Sequence, residues 1–258
     1  MLQNYQGEEM NKRNRSIFVS VIAIIALACA CPGTALPGTD QPPATFAPIS
    51  TIPPIVPTDE VAPPPPADAL LADDFSVDTG EWELYSEDAA IAEVQNGVYV
   101  VRSTGDTWAW GGGVTNLTDV VIDVDVTLAE GPSNYNVGLG VMCRLSEAAD
   151  GSISGYIFAI SADAFYYIGS IDGGSITALV DWTSSDTVNL GYETNKMRVT
   201  CNGDNLTLEV NGELLGTASA VAGGPTNGSV GFTATSYESE NGDPIAEGHF
   251  DNLVVTAP

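Results

Sequence analysis

From about residue 71 onward, apolar side chains recur at every second position. Val120, Ile122, Val124, Val126 and Leu128 alternate with Val121, Asp123, Asp125 and Thr127. Tyr135, Val137, Leu139, Val141 and Cys143 alternate with Asn136, Gly138, Gly140, Met142 and Arg144. Met197, Val199 and Cys201, then Leu206, Leu208 and Val210, repeat the pattern. Each run predicts a β-strand with one face for a core and one for solvent. Asn202-Gly203-Asp204 and Asn211-Gly212 predict hairpin turns between such runs. No stretch carries a convincing helical period. Residues 71–258 therefore read as one all-β domain of two packed antiparallel sheets.

The pattern upstream differs. Met10-Asn-Lys-Arg-Asn-Arg15 is basic, and Ile17 to Ala30 is apolar except for one Ser. Such a run is shorter than the roughly 20 residues that span a bilayer, so residues 1–31 predict an export signal. Its start is Met1 or Met10. Ala26-Leu27-Ala28-Cys29-Ala30-Cys31 resembles a bacterial lipobox, with Cys29 as the lipidated residue and Cys31 as the alternate. The lipid would then be the chain's one contact with a membrane. Residues 32–70 hold 12 of the 16 prolines and no hydrophobic period, which predicts a disordered, extended tether.

Charge narrows the function. The chain has 7 Lys and Arg against 34 Asp and Glu, a formal net charge of −27. Phosphate backbones need clustered cations, so nucleic acid is excluded as a partner. With His249 as its single histidine, the chain cannot build a multi-His metal site. Two cysteines, Cys143 and Cys201, fall inside the domain on the apolar faces of their runs. An exported domain meets an oxidising compartment, so these two predict a disulfide.

Several segments carry a resemblance. Val141-Met-Cys-Arg144, Gly155-Tyr-Ile-Phe-Ala-Ile-Ser161 and Phe165-Tyr-Tyr-Ile-Gly169 form one set. Thr200-Cys-Asn-Gly203, Leu206-Thr-Leu-Glu-Val-Asn-Gly212 and Phe250-Asp-Asn-Leu-Val-Val255 complete it. Together they resemble the concanavalin A-like (laminin G-type jelly-roll) domains of secreted bacterial proteins, nearest the keto-disaccharide hydrolase-like branch. The resemblance implies a jelly-roll with a concave sheet that often binds glycans. The Asp-Gly turn usual in that branch is Asp163-Ala164 here.

Three kinds of chemistry are open to such a domain. Asp123 and Asp125 share a strand face at about 6.6–6.8 Å, within reach of an inverting glycosidase pair. A solvated strand face explains them as well, and the Glu-rich strand of jelly-roll glucanases is missing. Trp108 and Trp110 flank Ala109, so both rings share a face and suit the C–H planes of sugars. Tyr156, Tyr166, Tyr167 and Trp182 are further aromatics, any of which could instead fill the core. Arg102 and Arg144 are rare cations, and Arg144 follows Cys143 on the face away from the core. Asp73, Asp74, Asp251 and Asn252 would meet if the first and last strands pair, and oxygen ligands without histidine suit a structural Ca²⁺.

The expectation is a surface-tethered lipoprotein with a non-catalytic carbohydrate-binding sandwich. Its ligand is a neutral or basic glycan held by Trp108, Trp110, Arg144 and Tyr156. The alternatives are a glycoside or keto-disaccharide hydrolase, and a structural or protein-binding surface module.

Overall fold

A computed structural model describes residues 66–105, 107–113, 115–237 and 244–258. The export signal, Cys29, Cys31 and nearly all of the tether lie outside the described residues. Every regular element within them is a β-strand. The first six are β1 (Leu71–Asp73), β2 (Tyr85–Ser86), β3 (Ala90–Gln95), β4 (Val98–Thr104), β5 (Ala109–Gly112) and β6 (Val120–Glu130). Next come β7 (Val137–Glu147), β8 (Ile153–Ser161), β9 (Phe165–Asp172), β10 (Ser175–Ser184) and β11 (Asn195–Asn202). The last four are β12 (Asn205–Val210), β13 (Glu213–Ser219), β14 (Ser229–Ser236) and β15 (Ile245–Thr256).

Two antiparallel sheets result. A nine-stranded sheet runs β13-β12-β11-β6-β15-β4-β3-β2, with β1 added beside β15. A six-stranded sheet runs β10-β9-β8-β7-β14-β5. Leu71 pairs with Val255 and Asp73 with Leu253, so the first and last strands lie side by side. Asn211 and Gly212 both take positive φ, at 52° and 87°, the pair of left-handed residues that a two-residue hairpin turn needs.

The core lies between the sheets. Ile122, Val126, Val199, Leu208 and Val255 reach it from the nine-stranded side, and Val141, Phe158, Ile168 and Phe232 from the other. Phe232 and Phe250 stack across the gap with ring centroids 4.4 Å apart. Burying a side chain of this size contributes about 1.5–3 kcal/mol each. Cys143 on β7 and Cys201 on β11 form a disulfide with Cα atoms 6.7 Å apart, so a covalent bond joins one sheet to the other. Such a bond fits an oxidising, extracytoplasmic compartment.

The alternation behaves differently in the two sheets. On β6 the core positions are buried and the intervening ones half-buried, as a solvent face requires. On β7 the intervening Gly138, Gly140 and Met142 are buried as well. The solvent face expected for that run is therefore covered. The strand also starts at Val137, because Tyr135 sits in a turn with φ 59° and donates its N–H to Pro132 O.

Candidate glycan-binding face

The covered face is the outer side of the six-stranded sheet. Met142, Leu145, Ile153, Ile157, Ala159, Tyr167 and Ile171 form a second apolar cluster there. Trp108, Trp110, Ile176 and Trp182 pack against it. The strand register explains the arrangement. Trp110, Thr233, Gly140, Ala159 and Tyr167 pair in one row across β5, β14, β7, β8 and β9. The next row is Gly112, Gly231, Met142, Ile157, Gly169 and Ala178. The first row is small in the middle, with an aromatic ring at both ends, and the second sets Met142 and Ile157 between glycines. Four strand spacings of about 4.8 Å put those ends about 19 Å apart.

Two glycines keep the middle low. A Cβ on Gly140 would sit 2.8 Å from Thr233 Cγ2, and one on Gly169 would sit 2.6 Å from Tyr167 Cε1. The Tyr167 ring therefore lies down over Gly169. Trp182 covers it in turn, with centroids 5.2 Å apart. Tyr237 stands between Trp182 and Trp108, at 6.0 Å and 6.1 Å, edge-on to both. The four rings make a continuous aromatic chain across the face. Burial, with some help from the charge of Asp181, pushes the Tyr167 phenol up to about 12.

The residues expected to act together separate. Trp108 and Trp110 lie on this outer face, half-buried. Tyr156 is fully buried on the opposite, inner face of the sheet. Its partner on β7 is Cys143, so it takes the inward parity of the core. Arg144 is 4% exposed and away from solvent, contrary to the alternation. It has φ 52° within a β-bulge between Cys143 and Ser146, which breaks the period and turns the side chain inward. Its guanidinium donates to Thr118 O, Asp119 Oδ1 and Gly203 O, at 3.1, 3.0 and 2.9 Å. Arg144 thus fastens the β5–β6 and β11–β12 connections beside the disulfide, with all these donors used inside the domain.

The other candidates fall on the far sheet. Arg198 and Lys196 each clasp a carboxylate of the Asp123 and Asp125 pair, in register on β11 and β6. Hydrogen bonding to Asp123 raises the Arg198 guanidinium. Arg102 bridges Glu130 and Glu247, and His249 Nε2 meets Glu247 Oε1 at 2.7 Å. Asp73 spends one oxygen on Phe75 N and the other on Trp82 Nε1. Asp74 accepts from Ser76 N, and Asp251 from Asn252 N. The side-chain amide of Asn252 donates to Asp125. Among the described residues no group of three or more His, Cys, Asp or Glu is arranged to hold a metal ion.

Sequence reasoning missed Tyr237 and the glycine-floored rows. Tyr237 follows β14 in the same parity as Thr233 and Thr235, which was the available signal. Glu83 was missed too. Its N–H donates to Gly112 O on β5, and desolvation raises its carboxyl above the ordinary value, with the charge of Glu147 adding to the effect.

No protein-family model matches the chain, and no curated protein is significantly similar to it. Solved structures do match. A β-glucanase of Bacillus licheniformis superposes with TM-score 0.53 at 12% identity, covering 73% of this chain and 98% of that one. The carbohydrate-binding module CBM66 of Bacillus subtilis gives 0.52 at 13%, covering 69% and 96%. The fold is a concanavalin A-like jelly roll. A Bacillus subtilis protein described as having a galectin-like fold gives 0.51 at 10%, covering 73% and 96%. At these identities the jelly roll is shared and the chemistry is not thereby shared. The structures that carry this jelly roll include both a binding module and a glucanase.

Proposed function

We propose that this jelly roll is a non-catalytic carbohydrate-binding module on an exported, lipid-anchored chain. The observation that carries the reading is the run of rings Trp108–Tyr237–Trp182 across the face, with Tyr167 buried beneath Trp182. Flat rings that line a sheet face offer stacking planes to sugar C–H faces. The ligand is a neutral or basic glycan. The domain from residue 71 holds 4 basic against 28 acidic residues, so uronic and sulfated polymers are repelled. The tether of residues 32–70 would present this face away from the membrane. Arg144 and Tyr156 drop out of the binding set and serve the fold.

A glycan array probed with the full chain tests the reading. Neutral glycans should be retained, and the Trp108→Ala, Trp110→Ala double variant should lose them while keeping its far-ultraviolet spectrum. A folded double variant that binds as well as the wild type would overturn it.

A hydrolase reading has one observation in its favour. Glu83 is an exposed carboxyl whose backbone N–H is bonded to Gly112 O on the strand that presents Trp110, and its carboxyl is shifted upward. Glycoside cleavage uses two carboxyl groups, one of them with a raised pKa that acts as the acid. Release of reducing ends from the retained glycan, abolished by Glu83→Gln, would establish that reading in place of simple binding.

A further inference from the structure

A shallow, open pocket of about 270 Å³ lies where β5 ends, between Gly113, Asn116, Leu145, Asn227 and Gly228, with both asparagines exposed. We propose that it is the subsite for one uncharged sugar residue, with Asn116 and Asn227 reading two neighbouring hydroxyls. The proposal rests on the carbohydrate-binding reading above and deepens it.

Position is the first argument. Gly112 shares the outward parity of Trp110, and a Cβ there would meet Leu145 Cδ2 at 3.1 Å and Ser229 Oγ at 3.5 Å. Leu145 belongs both to the cavity wall and to the apolar cluster under Trp108 and Trp110. The cavity is therefore the end of the aromatic face. It lies in the strand direction that runs from Trp110 through Gly112 to Gly113 on β5, at right angles to the row from Trp110 to Tyr167.

Chemistry is the second argument. Asn227 Nδ2 donates to Asn116 Oδ1 at 2.9 Å. That bond leaves the Asn116 amide as a donor and the Asn227 carbonyl as an acceptor, side by side. Exchanging the oxygen and nitrogen of both amides preserves one donor and one acceptor. A hydroxyl both donates and accepts, so two adjacent hydroxyls complement this pair. Leu145 supplies an apolar wall for the C–H side of the ring. Among the described residues no charged side chain lines the cavity, although 28 acidic residues lie in the domain. An anionic sugar would find no cation among these residues and would meet the negative field of the domain.

Preorganisation is the third argument. The two asparagines are 111 residues apart. Leu117 and Gly228 hold them together by exchanging two backbone bonds, at 2.8 and 2.9 Å. A Cβ on Gly228 would sit 2.4 Å from the Arg144 carbonyl carbon, so that residue has to be glycine. The Arg144 bulge that sequence alternation misplaces is the surface against which this loop packs. Sites fixed before the ligand arrives lose less entropy on binding. The volume lies just below the roughly 300–1,000 Å³ of pockets for drug-sized ligands, which suits a single sugar residue.

The test is nuclear magnetic resonance on the full chain, following the side-chain amides of Asn116 and Asn227 and the four tryptophan indoles. The probes are methyl glucoside, methyl galactoside, methyl mannoside, fructose and galacturonate, with laminarin, levan and galactomannan as polymers. At least one neutral sugar should move both asparagine amides, and galacturonate at equal concentration should not. Asn116→Ala and Asn227→Ala should each weaken the retained polymer about tenfold, the loss of one or two neutral hydrogen bonds. Asn116→Asp, which keeps the size, should weaken it as much. If neutral sugars move the indoles but neither asparagine, the subsite is absent and the aromatic face stands alone. If none of these resonances responds to any sugar or polymer, both proposals fall. A response to galacturonate overturns the charge argument.

Discussion

The Trp182 ring lies over the Tyr167 ring, with centroids 5.2 Å apart and planes inclined by 31°. Burial raises the Tyr167 phenol to about 12. Removing the cover should reverse that. Trp182→Ala is expected to bring the Tyr167 titration back toward 10, read as absorbance near 295 nm against a Tyr167→Phe control. A titration that stays near 12 would show that other groups dry this part of the face.

The disulfide between Cys143 and Cys201 spans 58 residues and joins the two sheets. Closing a loop of that length contributes on the order of 4 kcal/mol through the unfolded chain. Both sulfur positions are fully buried, so alanine is a better replacement than serine. The Cys143→Ala, Cys201→Ala variant should melt on the order of 10 °C lower by differential scanning calorimetry. An unchanged midpoint would contradict a stabilising role.

Ala164 takes φ 72°, a left-handed conformation in the turn after Asp163. Its N–H donates to Ser161 O, so the turn holds its shape without glycine. A Cβ in this region costs about 1–2 kcal/mol. Ala164→Gly should therefore stabilise the domain by up to about 1 kcal/mol, after the added freedom of glycine in the unfolded chain is subtracted. A urea midpoint that rises with an unchanged slope would confirm it, and a lower midpoint would refute it.

Asp251 faces Asp125 in register across β15 and β6. Desolvation raises its carboxyl above 3.8, and the charges of Asp125 and Asp74 add to the shift. The folded state then binds this proton more tightly than the unfolded chain does. Its contribution to stability is greatest in acid and is lost as pH rises through the window above 3.8. Asp251→Asn removes the charge and keeps an acceptor for Asn252 N. The variant should melt higher than the wild type at pH 7, with the gain shrinking as pH falls toward 3.8. If Asp251 instead helps hold Ca²⁺, the substitution lowers the midpoint at pH 7 and a chelator lowers the wild type.

Parity along a strand was the strongest message in the sequence. It assigned Val120 to Leu128, Met197 to Cys201 and Leu206 to Val210 to their faces, and the turns at Gly203 and Gly212 to their hairpins. It also brought Cys143 and Cys201 to the same core, which made their bond predictable. These features are local or depend on period alone, and each residue carries its own share of the signal.

Parity could not say what lies beyond a strand's second face. That Gly138 is covered depends on Trp108 and Tyr237, and that Gly140 is covered depends on Thr233 and Ile157, which come from other strands or lie beside them. The bulge at Arg144 shifts the period by a backbone choice that no residue type announces, and it buries a cation that alternation places outside. Tyr156 and Tyr167 are both aromatics in strand-like runs, yet one fills the core and the other floors the aromatic face. Strand order alone decides which neighbours each meets. Sequence by itself therefore determined the class of the fold, its hairpins and its disulfide, because short-range geometry and apolar period suffice for those. The pairing of Asn116 with Asn227, and the row from Trp110 to Tyr167, came only from the tertiary structure. Contacts between distant segments arise from sheet register, and a single chain's sequence does not write that register down.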